Sequence, residues 1–156
     1  MTDLATDPET GLTLGLPPGW EQLEYDGLSL AIAAPSLGET DPYRPNVNVL
    51  IAEIGSETDL RILGTDAIVA AKLTGDDAHV MSYDLYLGPG GVEGRRLGFA
   101  YRNEADSIAV TQWLLLHRGL YTVITASCLV TDLTTVQPMF EGSIGSLRLP
   151  GAEVPA

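Results

Sequence analysis

The hydrophobic positions along this chain change their period twice, and each change marks a new element. Valine and isoleucine alternate with polar asparagines from Asn46 to Ile51, the two-residue period of a strand with one buried face. Between residues 58 and 75 the apolar residues follow a helical spacing instead, with Thr58 or Asp59 as the N-cap and Gly75 as the stop. The sequence therefore predicts a strand followed by a helix.

Four strand-like segments come next, separated by short joins rich in turn residues. They cover residues 79–87, 92–102, 108–118 and 120–129. This succession predicts an antiparallel meander. A helical spacing returns in residues 135–147, and Pro138 is tolerated only near the first turn of such a helix, so we place its start near Thr135.

The N-terminal third adds two shorter strands, at residues 12–16 and 28–35. The loop after them ends at Arg44 and Pro45. Because Pro45 has no N–H to donate and holds Arg44 in an extended conformation, the chain can join a sheet only from Asn46 onward. Together these elements predict an α+β fold with one antiparallel sheet of six to seven strands, flanked by two main helices.

The chain length is that of one domain. With 156 residues, it can bury roughly 70% of its unfolded surface. We assign residues 1–11, which are polar and acidic, to a flexible N-terminal tail and residues 12–149 to a single domain. Residues 150–156 have no pattern and form a C-terminal tail.

The charge of the chain restricts its partners. There are 8 basic and 21 acidic residues, a formal net charge of -13. An acidic surface repels nucleic-acid backbones and anionic membranes, and no apolar run approaches the ~20 residues of a membrane helix. We therefore expect a protein partner, with no nucleic acid and no membrane insertion. The first residues lack the basic start and apolar core of a signal peptide, which favours a cytoplasmic location.

No catalytic or metal-binding motif is evident in the sequence. The single cysteine, Cys128, lies among apolar residues, which is typical of a buried and inert thiol. His79 and His117 belong to different predicted strands, and the glycine-rich residues 88–94 precede a strand where a phosphate loop requires a helix. We expect no enzyme activity, no cofactor and no metal. A small hydrolase whose site is not local in sequence is one alternative.

Two groups of residues are candidates for contacting a partner. Arg44 and Asn46 stand where the first long strand begins, and they fit strand-start chemistry as well as a binding lip, to which Arg44 would bring a fork of donors. The second group shares one face of the strand predicted at residues 92–102 and consists of Arg96, Gly98, Ala100 and Arg102. This strip of small residues between arginines is either a shallow groove or a place where a helix packs closely.

Several segments carry a resemblance to a known family. They read "LGLPPGW", "YRPNVNVLI", "GGVEGRR", "WLLLHRGLYTVITASC" and "FEGSIGSL". Together they resemble the LpqN-type proteins of actinobacteria, which belong to the PsbP/Mog-like α/β/α sandwich group with the DcrB-like and Eag-type proteins. The resemblance extends over residues 12–149 and implies the sandwich fold.

The resemblance also implies a kind of function, because the group consists of small domains that bind partners or assist assembly and share no active site. LpqN-type members are often lipoproteins, and Eag-type members are cytoplasmic chaperones for secreted toxins. We therefore expect a non-catalytic accessory domain, a chaperone or adaptor for a secreted or envelope-directed protein such as an effector or toxin. The acidic charge makes a toxin-neutralising immunity protein a second alternative, and a homodimer is left open.

Overall fold

The computed structural model describes residues 3–35, 43–55 and 57–151. Its strands are β1 (Asp3–Thr6), β2 (Thr13–Leu16), β3 (Glu21–Leu23), β4 (Leu30–Ala33), β5 (Asn46–Glu53), β6 (Asp76–Leu87), β7 (Glu93–Asn103), β8 (Asp106–His117) and β9 (Leu120–Leu129). Its helices are α1 (Leu60–Lys72) and α2 (Leu133–Gly145), with single 3-10 turns at Pro89–Gly91 and Val130–Asp132. In this described part, no helix is both long and apolar enough to span a membrane.

The main sheet has seven strands in the order β3-β4-β5-β9-β8-β7-β6, and each neighbouring pair is antiparallel. The predicted meander is confirmed as β6 to β9, and the N-terminal strands join it through the pairing of β5 with β9. Strands β1 and β2 form a separate two-stranded sheet. This architecture confirms the predicted α+β fold.

Each face of the main sheet carries one helix. Helix α2 and the β1–β2 hairpin pack on one face, where they bury the larger core. Trp20 meets Phe140 of α2 there in an edge-to-face contact, with ring centroids 6.1 Å apart. Helix α1 packs on the other face over β6, β7 and β8, around a smaller core that includes Leu97, Phe99 and Val110. The result is an α/β/α sandwich.

The two helices differ in how well the sequence locates them. The Asp59 carboxylate accepts a hydrogen bond from the Ile62 N–H at 3.0 Å, so Asp59 is the N-cap of α1, and this bond lowers its pKa. Helix α2 begins at Leu133, two residues before the predicted start near Thr135. The Val130–Asp132 turn leads directly into the helix, which tolerates Pro138 beyond its first turn at the cost of one backbone hydrogen bond.

The flexible N-terminal tail predicted for residues 1–11 is a further correction. Residues 3–6 are paired with β2, and Ala5 is completely buried. The turn between the two strands is held by Asp7, whose carboxylate accepts hydrogen bonds from the Thr10 hydroxyl at 2.5 Å and the Glu9 N–H at 3.1 Å. This segment is polar and acidic because most side chains of β1 face outward and because Asp7 is used in the turn. It is part of the fold and not a flexible tail. Strand β3, with only three residues, was not predicted either.

Candidate binding groove

A groove lies on the α1 face of the sheet, at the end formed by β3, β4 and β5. Helix α1 covers the opposite end of this face, over β6 to β8, and on this face no described helix packs against β3 to β5. The groove has a volume of about 620 Å³. Its lining combines aliphatic, aromatic and polar residues: Leu23, Tyr25, Leu28, Ala31, Ile32, Ala33, Tyr43, Arg44, Asn46 and Asn48.

A chain of hydrogen bonds forms the polar side of the groove. The Ser127 hydroxyl donates to Asn46 Oδ1 at 3.3 Å and lies 2.9 Å from the Tyr43 hydroxyl. Because serine has a single hydroxyl proton, Tyr43 is then the donor in the second bond. Asn46 Nδ2 in turn donates to the Arg44 carbonyl oxygen at 2.9 Å. These bonds fix residues 43–46 against β9, so the polar wall of the groove is already ordered without a ligand.

Arg44 holds two strands together at the rim of the groove. Its Nε and Nη2 donate to the Ala34 carbonyl oxygen at 2.9 and 2.7 Å, and Nη2 also reaches Glu21 Oε1 at 2.5 Å. These contacts clamp the end of β4 and the start of β3. Arg44 and Asn46 therefore have the strand-start role that the sequence suggested, and both also line the groove.

The strip on β7 lies on the opposite face of the sheet. A Cβ at Gly98 would come within 2.6 Å of the Ser82 hydroxyl oxygen on β6, so this glycine serves a close approach between strands. Arg96 pairs with Glu141 of α2, and its guanidinium carbon lies 5.8 Å from the centre of the Trp113 ring. Arg102 pairs with Asp77 at 3.0 Å. The structure thus divides the six candidate residues between two places, Arg44 and Asn46 at the groove and the other four on the α2 face.

The polar groups that line the groove among its described residues are amides, phenols and one guanidinium. Histidine, cysteine and carboxylate side chains are all missing from its described lining. Cys128 lies on the other face, paired with Ala109, whereas His117 lies at the far end of the same strand as Ala109. Burial first, and the nearby Asp132 second, raise the pKa of the Cys128 thiol to about 11, so the thiolate that a nucleophile needs is disfavoured at neutral pH.

Sequence reasoning found two of the residues that line the groove and missed the others. Tyr43 was not recognised, although it directly precedes the Arg44-Pro45 pair, and neither was Ser127, which contacts Tyr43 without lining the groove. Asn48 carried a usable signal, because a second asparagine on the same face of β5 as Asn46 leaves that face polar where a helix would need apolar contacts. Tyr25, Leu28 and Ala31 have no local signal, since only the sheet brings them together.

Comparison with solved structures identifies the fold. LpqN of Mycobacterium tuberculosis, described as involved in cell envelope biogenesis, matches over 96% of this chain and 91% of its own, with a TM-score of 0.75 and 14% identity. The cyanobacterial PsbP protein of Synechocystis matches over 94% and 91%, with a TM-score of 0.66 and 19% identity. The Ran-binding protein Mog1p of Saccharomyces cerevisiae matches over 96% and 95%, with a TM-score of 0.65 and 10% identity. No family model and no curated protein sequence matches the chain.

Proposed function

We propose that this chain, which has the PsbP/Mog-like fold with similarity to LpqN, is a non-catalytic accessory domain that binds a protein. The groove on the α1 face carries the proposal. Its apolar walls suit aliphatic side chains, and its amide, hydroxyl and guanidinium groups suit the backbone of a bound segment. The partner is a secreted or envelope-directed protein, which the domain serves as a cytoplasmic chaperone or adaptor.

Two further observations support a protein as the partner. Mog1p is a Ran-binding protein and LpqN is involved in cell envelope biogenesis, so a protein with this fold is known to bind a protein partner. The formal net charge of -13 disfavours polyanions such as nucleic acids. The strip on β7, from Arg96 to Arg102, stays a second candidate contact surface for the same kind of partner.

The role of the groove in partner binding is tested by a substitution that fills it. Asn48→Trp places an indole in the groove on a half-buried position of β5. We expect the tagged variant to lose the protein that the wild-type domain co-purifies from its own host, without a lower Tm. Calorimetric titration of the identified partner then measures the loss of affinity directly.

Leu50→Trp is the matched control, because Leu50 lies two residues further along the same face of β5, is 45% exposed and does not line the groove. It should bind the partner as the wild type does. Equal binding by Asn48→Trp would overturn the groove as the contact surface. If no host protein co-purifies with the wild-type domain, the protein-binding function itself is wrong.

An immunity protein is the second candidate function, and the acidic charge favours it. Association with a basic toxin is steered by charge and should slow strongly as salt is added. A chaperone that holds apolar segments should associate at a rate nearly independent of salt and show a negative heat-capacity change on binding. Measuring both quantities on one partner separates the two functions.

A further inference from the structure

Strand β6 ends the sheet on the side opposite β3, and the second half of its outer edge is regular. The two edge strands differ in length, since β3 has three residues and β6 has twelve. The register shifts of β6 against β7 lie before Ser82. From Ser82 to Leu87 every residue pairs in order with β7, from Gly98 to Glu93. Each second N–H and C=O in this run therefore points away from the sheet.

This run, which we call the β6 edge (residues 82–87), has only one of the features that protect natural edges, the charge of Asp84. Proteins usually block an exposed edge with lysine, proline, a bulge or a very short strand. The β6 edge contains no lysine, arginine or proline and no register shift. An edge of this length with so little protection is suited to pairing with one more strand, provided that the strand can compensate Asp84.

The side chains of the β6 edge form one apolar and one acidic face. Tyr83, Leu85 and Leu87 share the face on which α1 lies, and the Tyr83 hydroxyl packs against Gly64 of that helix. Leu85 and Leu87 are 78% and 73% exposed, so two large apolar side chains on the same face of the strand are left in contact with water. An additional strand would cover both leucines.

The opposite face of the β6 edge carries Ser82, Asp84 and Tyr86. Asp84 is exposed, and among the described residues it makes no ion pair, since its cross-strand neighbour Arg96 is paired with Glu141 instead. A strand placed beside this face would bring its own side chains next to an uncompensated carboxylate. A basic residue there is favoured and an acidic one is repelled.

We propose that the β6 edge binds an extended segment of a protein partner as an eighth strand of the sheet. The segment alternates apolar residues, which cover Leu85 and Leu87, with lysine or arginine, which faces Asp84. A second copy of this chain does not meet these requirements. Pairing of two β6 edges would bring together two strands that each carry Asp84 and no lysine or arginine to compensate it, between subunits that each carry a net charge of -13.

The probe is a synthetic peptide of about eight residues, the length of an ordinary strand, in which valine and lysine alternate. We expect it to bind the full chain, with an affinity that falls as salt is added. A peptide with the same residues in two blocks should bind at least about tenfold more weakly, because it cannot match both faces at once. An alternating valine–glutamate peptide should not bind.

Backbone pairing gives the decisive readout. In an added strand only alternate N–H groups point to the sheet. N-methylation of the valines and N-methylation of the lysines should therefore have opposite effects, one abolishing binding and the other leaving it intact. Equal effects of the two modifications would overturn strand addition and indicate nonspecific adsorption of a cationic peptide.

Protein variants locate the site. Leu85→Lys should weaken peptide binding at least about tenfold, because it removes apolar contact and adds a like charge beside the peptide. Leu87→Lys provides a second variant at the same edge. Leu4→Lys is the control, since Leu4 is 54% exposed on the separate β1–β2 sheet. The proposal fails if Leu85→Lys with an unchanged Tm binds the peptide normally, or if sedimentation shows a wild-type dimer that Leu85→Lys dissociates.

Discussion

Gly64 lies in the middle of α1, where glycine costs about 1 kcal/mol relative to alanine. The structure supplies the reason for this residue. A Cβ at Gly64 would collide with the hydroxyl of Tyr83, and it would lie 2.8 Å from the ring carbon that bears that hydroxyl. The sequence shows the cost of the glycine, but its contact lies on β6, beyond the end of the helix, and no local pattern reveals it.

We predict that Gly64→Ala lowers the free energy of unfolding by about 1–3 kcal/mol, since overpacking outweighs the gain in helix propensity. The same change in a Tyr83→Ala background should be neutral or stabilising, because the collision is gone. Denaturant unfolding of the four proteins of this double-mutant cycle measures the coupling.

Gly142 is the matched control for this prediction. It also lies within a helix, α2, and a Cβ there would meet no atom within 4 Å. Gly142→Ala should therefore raise the free energy of unfolding by up to about 1 kcal/mol. If Gly64→Ala is stabilising like Gly142→Ala, the Tyr83 side chain moves aside without an energetic cost, and α1 is not packed closely against β6.

At the scale of the element, β1 shows where pattern reasoning stops. Of its four residues only Ala5 is buried, so the strand offers a single inward side chain and no period that could be recognised. Strands β7 to β9 have ten to twelve residues and long alternating or continuous apolar runs, and their positions were predicted to within two residues. Length and the number of inward side chains decide which elements a sequence reveals.

The N-terminal strand should matter for stability. We predict that Ala5→Glu lowers the free energy of unfolding by at least about 2 kcal/mol, since it forces a carboxylate into the core beside β2 or detaches the hairpin. Leu4→Glu, on the exposed side of the same strand, should have little effect. Equal stability of the two variants, measured by urea unfolding, would support the flexible tail that the sequence suggested.

At the scale of the molecule, the sequence predicts the elements and their class but not the groove. The groove exists because α1 covers only the β6–β8 part of its face and because β5 pairs with β9. Both facts depend on contacts between segments distant in sequence. The hydrophobic period indicates which residues are buried, but it does not indicate which residues they pack against. Arg44 and Asn46 were found because proline and asparagine have local chemistry, while Tyr25 and Ala31 reach the groove only through tertiary structure.

The pairing of β5 with β9 also determines the order in which the strands of the sheet form during folding. Strands β6 to β9 join neighbours in sequence through short turns, so their pairing closes small loops, whereas residues 46–53 must find residues 120–129. During synthesis β3, β4 and β5 can pair with one another, but β5 has no strand on its other side until β9 has left the ribosome. We predict that pulsed hydrogen exchange during refolding protects amides of β7 and β8 before those of β4 and β5. Simultaneous protection of all four strands would show that the long-range pairing belongs to the folding nucleus, and β5 would then spend less time without its partner strand β9.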